Sequence, residues 1–396
     1  MKFQRAALSA AHLWSSPFAR WQGSLADVSS LDLAVAVTGD ALAARDFDRG
    51  RIAQIVLGTT IPQQGAFYAA PWIAARLGMA GIGGPHIAQA CATSVACIVA
   101  AATAVEVEQG RSSLVVAADR TSNGPLLVYP RARSMGGSPA HENWVLDNFA
   151  ADPNTGESMV ATAEAVAREG GMSRQAIDEL TLLRYRQYER ALADDRAFQR
   201  RTLQPVTVGE GRRRIVVETD EGIHSTSAEG LRGLKAVQEG GVVTFGSQTH
   251  PADGAAGCVV ADADDARSLA GGAGVVRLLA AGFARAEKAR MPKAATTAAQ
   301  NALRDAGLAW GDVAIVNTHN PFAVNDLWFA RETGADVDAM NPFGSSLIYG
   351  HPQAPTGARG LVELIWALHD RGGGRGLFTG CAAGDTGAAL VIELDG

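Results

Sequence analysis

Apolar residues in the first 120 positions form short runs and one long run. Runs of strand length occupy 52–58 and 114–118, and a helical pattern occupies 71–77. The long run, 98–107, follows a segment broken by glycine and proline, and a helix over it should end by Gly110. Short apolar runs favour buried strands, whereas long ones favour buried helices. The alternation predicts a mostly parallel sheet covered by helices.

The pattern changes between residues 121 and 241, where turn-rich polar segments surround one amphipathic stretch, 157–196. Gly170 and Gly171 divide this stretch into two predicted helices. Ser173 is the expected N-cap of the second, because a serine hydroxyl can accept a hydrogen bond from the first helical turn. Patterns of strand type then resume at 242–244, 255–261 and 275–280.

The second half of the chain repeats the order of elements in the first. Residues 41–58 and 297–317 both have the pattern helix, loop, strand, and the helical segment 357–369 with the strand after it repeats the long apolar run and its strand. On this register Cys381 corresponds to Asp119. We therefore predict an α/β fold of two similar halves, each with a mixed sheet between helices, plus an inserted helix-rich loop domain. The predicted segments are 1–120 (N-terminal half), 121–241 (inserted loop domain), 242–268 (return of the N-terminal half) and 269–396 (C-terminal half).

Charge and composition argue against several classes of function. The net charge of −6 disfavours a nucleic-acid groove, and no run of eighteen apolar residues could span a membrane. The first residues lack the apolar core of a signal peptide. The cysteines (Cys91, Cys97, Cys258 and Cys381) have no metal-ligand spacing and are too sparse for a disulfide scaffold. We expect a cytoplasmic chain with free thiols, without a metal site and without a nucleic-acid or membrane partner.

Cys91 lies just before the long apolar run, at the expected start of a helix. Unpaired backbone N–H groups and the positive end of the helix dipole favour a thiolate there and can stabilise an oxyanion. A structural role is equally open from this segment alone, because cysteine is among the most buried residue types and often only fills space.

Three motifs of the second half place chemically useful side chains at predicted strand-to-loop edges, where ligand sites of α/β sheets lie. His319 follows a strand, and Cys381 follows the last glycine-rich turn and its strand. His351 stands between Gly350 and Pro352, in a turn that can hold a base at hydrogen-bond distance from a thiol. A lone histidine is more often structural, but two histidines and two cysteines at such edges are harder to explain by packing.

These residues lie in motifs with a family resemblance. In chain order the motifs occupy 90–94, 159–164, 243–247 with 253–256, 319–323, 350–352 with 356–359, and 381–384. In the same order, they resemble six motifs of thiolases. These are the nucleophile motif, the Met-Gly-x-Thr-Ala-Glu segment, the glycine-flanked segment, the His-first variant of the Asn-Glu-Ala-Phe motif, the Gly-His-Pro block and, in part, the Cys-x-Gly-Gly-Gly motif. The chain is similar to these acyl-CoA C-acyltransferases over essentially its full length.

The resemblance implies a thiolase-like fold and a role for each matching residue. Cys91 would attack a 3-oxoacyl-CoA after His351 accepts its proton, and Cys381 would move the α-proton. His319 with His351 would stabilise the enolate, and the backbone N–H groups of Cys91 and Ala383 the acyl-enzyme oxyanion. Coenzyme A would be a substrate, with no tightly bound cofactor, and its expected contacts are Met159, Ser247, Thr249 and Phe322.

The chain departs from the family pattern at several positions. Asn320 stands where glutamate is usual, Pro321 and Ala383 replace alanine and glycine, and Phe245 stands where small residues are usual. His250 and Pro251 replace a glycine-rich turn. These changes favour an unusual acyl substrate or a reduced activity.

Two alternatives to an active thiolase stay open. A decarboxylating ketoacyl synthase of the same superfold needs no second cysteine, so Cys381 favours a thiolase. A non-catalytic or complex-dependent subunit is the other alternative, because some thiolase-like chains work with a small zinc-ribbon/OB-fold partner. The resemblance also implies a homodimer or tetramer. The acyl group, the physiological direction and the arginines that bind the CoA phosphates are not determined by the sequence.

Overall fold

The computed structural model describes residues 1–107 and 112–395, so the predicted helix end at Gly110 lies outside the described residues. The strands are β1 (Ala6–Ser15), β2 (Ala19–Arg20), β3 (Ile52–Gly58), β4 (His86–Ile87), β5 (Ser112–Arg120), β6 (Leu126–Tyr129), β7 (Ala140–Asn143), β8 (Val206–Val208), β9 (Ile215–Val217), β10 (Ala252–Asp262), β11 (Val275–Arg285), β12 (Ile315–His319), β13 (Gly374–Ala382) and β14 (Thr386–Leu394). The helices are α1 (Ser30–Ala44), α2 (Ala69–Arg76), α3 (Thr93–Glu106), α4 (Leu146–Ala150), α5 (Met159–Glu169), α6 (Arg174–Ala191), α7 (Ala193–Thr202), α8 (Ala228–Gly233), α9 (Ala263–Leu269), α10 (Met291–Ala306), α11 (Ala323–Thr333), α12 (Ser346–Tyr349) and α13 (Thr356–Asp370).

The main sheet is built twice from the same pattern of pairings. In the first half, β3 is parallel to β5, β5 is antiparallel to β10, and β10 is antiparallel to β1. In the second half, β12 is parallel to β13, β13 is antiparallel to β14, and β14 is antiparallel to β11. The strands β1 and β11 also pair, so both halves join in one sheet with the order β12-β13-β14-β11-β1-β10-β5-β3-β4. The predicted α/β fold with two similar halves is confirmed.

Helices cover both faces of this sheet. On one face α3 and α13 lie side by side and share a core with the strands, including Val115 of β5 and Leu390 of β14. On the other face α1 and α2 cover the first half and α10 covers the second. Because α3 is buried nearly all round, its sequence is an apolar run without a polar stripe. Helix α13 is buried too, but it carries Arg359 and Glu363, which pair with each other at 3.0 Å.

Glycine permits the close approach of α3 and α13 at their N-terminal ends. A Cβ on Gly357 would lie 2.9 Å from the Ser94 hydroxyl and 3.0 Å from a Val95 methyl group. The same hydroxyl accepts a hydrogen bond of 2.8 Å from Ala358 N–H. The loops that precede the two helices, which carry Cys91 and His351, are therefore brought together.

The inserted region contains α4 to α8 and two hairpins, β6–β7 and β8–β9. Ser173 caps α6 as predicted, since its hydroxyl accepts a hydrogen bond of 3.1 Å from Ala176 N–H. The strand predicted at 242–244 is wrong. Val243 is buried in the core of the inserted region, and the carboxylate of Glu164 accepts the N–H groups of Val242 and Val243, so a side chain takes the place of a neighbouring strand.

The division into four segments stays a prediction. Among the described residues, no helix has both the length and the apolar character needed to cross a bilayer.

Candidate active site

Cys91 lies in the turn between β4 and α3, two residues before the first residue of the helix. The side chain of Thr93 fixes this turn, because its hydroxyl accepts from Gln89 N–H at 2.8 Å and donates to the Ala90 carbonyl at 2.7 Å. Ala90 has a left-handed backbone, with φ of +45°. The turn directs Cys91 Sγ towards the second half, where it lies 2.9 Å from His351 Nε2.

His351 is held by two hydrogen bonds and by the tight packing of the residue before it. Its N–H donates to the His250 carbonyl at 2.9 Å, and its Nδ1 lies 2.7 Å from the Thr356 hydroxyl at the start of α13. The preceding Gly350 has φ of +92°, and a Cβ there would lie 2.6 Å from the His250 ring. A Thr356 oxygen that accepts from Nδ1–H leaves the lone pair of a base on Nε2, facing the thiol.

Burial keeps the thiol and the imidazole neutral. Removal from water raises the pKa of Cys91 to about 12, although the backbone N–H groups of Ala383 and Cys91 act in the opposite direction. Burial, with His319 nearby, lowers the pKa of His351 well below its usual range. The thiolate expected from a helix N-terminus is therefore wrong for the unliganded protein, because desolvation outweighs the backbone N–H groups that would favour it. A neutral pair of this kind forms a thiolate only when the proton moves to Nε2.

His319, the last residue of β12, lies behind His351 with 4.1 Å between the ring centroids. Its Nδ1 is 2.7 Å from the Ser346 hydroxyl, whereas its Nε2 is buried and has no hydrogen-bond partner. Burial lowers the pKa of His319 to about 3, so the ring is neutral. When Ser346 donates to Nδ1, the unpaired Nε2–H is a donor available to an oxyanion.

Cys381 lies inside β13 as its penultimate residue, not beyond the end of the strand as the pattern suggested. Asn325 Nδ2–H donates to Cys381 Sγ at 3.1 Å. Burial, and in addition the neighbouring Cys91, raise the pKa of Cys381, so it is a thiol that can donate a proton. Sequence reasoning missed Asn325, whose only local signal is its place in the first turn of α11.

Asn320, one of the departures from the resembled motif, belongs to a buried polar network beneath His319. Asn320 Nδ2–H donates to Asp326, which also accepts from Thr318 Oγ1 at 2.6 Å and from Arg184 Nε at 2.8 Å. Asp326 and Arg184 are both fully buried. The substitution therefore retains a hydrogen-bonded support for the strand end that carries His319.

A cavity of about 430 Å³ opens onto Cys91 and His351. Among the expected contacts, Met159, Thr249, Phe322 and Ala383 line it. Its largely apolar walls include Ile61, Trp144, Phe149, Val160 and Met291.

Ser247 does not line this cavity, contrary to the expectation. It is fully buried, and its hydroxyl accepts a hydrogen bond of 2.9 Å from Thr244 N–H in a tight turn. His319 and Cys381 do not line the cavity in the unliganded protein either; both are buried, His319 against the ring of His351 and Cys381 beside Cys91.

Two residues beside Cys91 were not singled out from the sequence. Gln353 lines the cavity, with its Oε1 3.2 Å from Cys91 Sγ. Asp119 is fully buried in β5 and accepts hydrogen bonds from the loop at Thr60 and from Ala354 N–H. In the sequence, only the internal repeat pointed to Asp119, because it aligned Asp119 with Cys381. This alignment suggested no chemical role for Asp119.

The ligand atoms of Cys91, His319 and His351 lie within 4.8 Å of one another. A cysteine and two histidines are a ligand set that zinc accepts. This cluster could not be expected from residue spacing, because its members come from three distant segments of the chain.

Known proteins match the chain over both halves. The family profile described as "Thiolase, N-terminal domain" matches residues 11–264, and the one described as "Thiolase, C-terminal domain" matches residues 273–394. The chain is 29% identical over 379 residues to an acetyl-CoA acetyltransferase of Escherichia coli strain K12, covering 94% of this chain and 95% of that protein. It is also 29% identical over 417 residues to a 3-ketoacyl-CoA thiolase of Pseudoalteromonas translucida, covering 96% of this chain and 94% of that protein.

Solved structures share the fold. Human mitochondrial 3-ketoacyl-CoA thiolase in complex with CoA has a TM-score of 0.90 at 23% identity, covering 100% of each chain. Acetyl-CoA acetyltransferase of Bacillus anthracis has a TM-score of 0.90 at 24% identity, covering 99% of each chain. With the family profiles matched across both halves, this chain belongs to the thiolase family.

Proposed function

We propose that this chain is a thiolase-type acyl-CoA C-acyltransferase that cleaves a 3-oxoacyl-CoA with coenzyme A, or runs the reverse Claisen condensation, through an acyl-enzyme on Cys91. The observation that carries the proposal is the distance of 2.9 Å between Cys91 Sγ and His351 Nε2 in the wall of an acyl-sized cavity. A nucleophile and base at hydrogen-bond distance are the basic requirement for covalent acyl transfer.

The steps follow from this arrangement. His351 Nε2 takes the Cys91 proton as the sulfur attacks the 3-keto carbon, and the Cys91 and Ala383 N–H groups stabilise the oxyanion. The bond between C2 and C3 then breaks, which leaves the acyl group on Cys91 and an enolate of acyl-CoA. Cys381 gives its proton to C2, while His319 Nε2–H stabilises the enolate oxygen. The thiol of a second CoA finally takes the acyl group from Cys91; its proton restores the Cys381 thiol, and His351 returns its proton to the departing Cys91 thiolate.

Met159, Thr249 and Phe322 are the proposed contacts for CoA, because they line the cavity that leads to Cys91. Ser247 is removed from this set, since its hydroxyl is engaged within its own turn. A cytoplasmic location is part of the same proposal, supported by four free cysteines, which are typical of reducing compartments.

A homodimer, or a tetramer built from it, is also proposed. Strand β4 lies at one edge of the sheet, and in the segment before α2 Phe67 is 89% exposed and Tyr68 73% exposed. An open strand edge and exposed aromatic side chains are both features that a partner subunit covers. Sedimentation that gave only a 41.1 kDa species at micromolar concentration would contradict the dimer. A small zinc-ribbon/OB-fold partner stays a prediction for co-purification to test.

The test of function is CoA-dependent cleavage across a panel of 3-oxoacyl-CoAs, with the mass of the intact chain measured after mixing with acyl-CoA. We expect cleavage of at least one member and a mass increase equal to its acyl group, and neither with Cys91→Ala. Acylation followed by decarboxylative condensation with a malonyl thioester, without thiolysis, would instead support a ketoacyl synthase. Absence of both acylation and cleavage would support a non-catalytic subunit.

A further inference from the structure

Gln353 stands next to the reacting sulfur in an unusual conformation. It is 7% exposed, and its backbone is left-handed, with φ of +70°. A non-glycine residue in this region costs free energy and persists only where its surroundings hold it. Its Oε1 lies 3.2 Å from Cys91 Sγ, and the same side chain acts on His351 by raising the pKa of that histidine. One amide thus reaches both partners of the proton transfer.

The peptide after Gln353 is clamped at both of its polar groups. Ala354 N–H donates to Asp119 Oδ2 at 2.9 Å, and the Ala354 carbonyl accepts from Ser94 N–H of α3 at 3.2 Å. Asp119 in turn accepts from Thr60 N–H at 2.9 Å and from Ile61 N–H at 3.0 Å. Because Ser94 follows Cys91 by three residues, this clamp fixes the Gln353 side chain relative to the nucleophile.

An amide oxygen can serve both states of the Cys91–His351 pair. The single S–H hydrogen of Cys91 can point to Gln353 Oε1 at rest and turn to His351 Nε2 for transfer, and after transfer Oε1 can accept Nε2–H of the imidazolium. His351 lacks a carboxylate on Nδ1, where it meets the Thr356 hydroxyl, and burial disfavours its charged form. Among the described residues around His351, Gln353 opposes the effect of burial, because its side chain raises the pKa of His351.

We infer that Gln353 is a further catalytic residue of this chain, whose amide oxygen accepts first the hydrogen of the Cys91 thiol and then that of the His351 imidazolium. Asp119 is its positioning residue. The inference rests on the proposed function, since it concerns the formation of the Cys91 acyl-enzyme. The titratable groups around the Cys91–His351 pair are His319, Cys381 and Asp119, with His250 behind the turn.

The test compares Gln353→Met, which keeps the length of the side chain and removes the amide acceptor, with Gln353→Glu, which keeps an acceptor oxygen and adds charge. We expect Gln353→Met to slow acylation by a simple acyl-CoA by about tenfold to a hundredfold, on the scale of losing one hydrogen bond to a charged group. Loss of the acceptor lowers the pKa of His351, so the acid limb of the pH–rate profile should move to lower pH. Gln353→Glu should move it to higher pH, because a carboxylate favours the imidazolium.

The opposite shifts identify the chemical role, because a packing defect would move both profiles alike. Asp119 itself has a pKa raised by burial to about 7, so a single limb in the native profile would not identify His351. Gln54→Met is the matched control, since Gln54 lies in β3 outside the cavity and bonds Ser113 at 3.0 Å. The double variant with Asp119→Asn and Gln353→Met should be acylated at nearly the rate of Gln353→Met alone, as expected for residues that act as a unit.

Failure of this inference is distinct from failure of the proposed function. Native-like acylation rates and unshifted limbs in both Gln353 variants, with active native protein, would overturn only the role of Gln353. A native protein that forms no acyl-enzyme would overturn both. Melting temperatures identify a variant that has not folded, in which case the other Gln353 variant decides the matter.

Discussion

Cys91 and His351 are 260 residues apart in sequence, yet their reacting atoms are 2.9 Å apart. Each precedes one of two equivalent helices, α3 and α13, whose N-terminal ends meet across Gly357. The internal repeat of the fold thus brings one nucleophile and one base together from different halves. The proposed chemistry depends on this meeting point.

Cys91→Ser should abolish acyl transfer while the fold stays intact. Serine is close in size, but its hydroxyl is much harder to deprotonate than a thiol, and His351 is a weak base in this site. We expect the turnover rate to fall by at least about a thousandfold, as for other nucleophile losses, with an unchanged melting temperature. Wild-type turnover in Cys91→Ser would remove Cys91 from the mechanism.

Alkylation of Cys91 in the unliganded protein should accelerate steadily with pH. A thiol with a pKa of about 12 is protonated at neutral pH, so its thiolate fraction rises about tenfold per pH unit between pH 7 and 9. Iodoacetamide labelling followed by peptide mass spectrometry measures this rate for Cys91 separately from the buried Cys97, Cys258 and Cys381. A plateau across this range would instead indicate a thiolate–imidazolium pair at rest.

Cys381→Ala should separate the two chemical steps. Acyl-enzyme formation from a simple acyl-CoA should continue, because Cys91 and His351 are retained. Carbon–carbon cleavage and deuterium exchange at the α-carbon should stop, because the proton carrier is lost. Cys258→Ala is the matched control, a buried cysteine in the core shared with α3. Exchange near the native rate in Cys381→Ala would mean that Cys381 only packs.

Arg184→Met should destabilise the protein strongly. Arg184 and Asp326 are both fully buried, with 2.8 Å between Nε and Oδ2, so the substitution leaves a buried carboxylate without its cation. We expect a loss of about 3–5 kcal/mol in the free energy of unfolding, measured by urea denaturation.

Arg200→Met is the control for this experiment, because Arg200 and Asp195 form a pair with side chains 57% and 77% exposed. Exposed pairs of this kind contribute little. Equal stabilities of the two variants would show that the Arg184 pair does not support the strand end beneath His319.

The sequence predicted local structure well where one physical effect dominated. The run 52–58 became strand β3, and Ser173 capped α6, because burial and capping act over a few residues. It misassigned 242–244, where apolar residues are buried but their N–H groups bond to Glu164 instead of a strand. Burial alone does not specify what a backbone pairs with.

The candidate site was predictable in its residue types and not in its geometry. Cys91, His319, His351 and Cys381 were named from motifs, and the structure brings them together. The positions of Ser247 and Gln353 depend on the direction of a side chain in a turn, which no pattern of residue types reports. The protonation of Cys91 was missed because a helix dipole is visible in sequence, whereas the degree of desolvation is not.

The pairing of β1 with β11 has a mechanical consequence. Ala7, Leu8 and Ser9 are in register with Arg277, Val276 and Val275, so the hydrogen-bond ladder of the sheet continues from one half into the other. A hinge motion between the halves would break this ladder. The thiol and its base, which come from different halves, are therefore carried on one continuous sheet, and entry of substrate falls to the inserted region at the cavity.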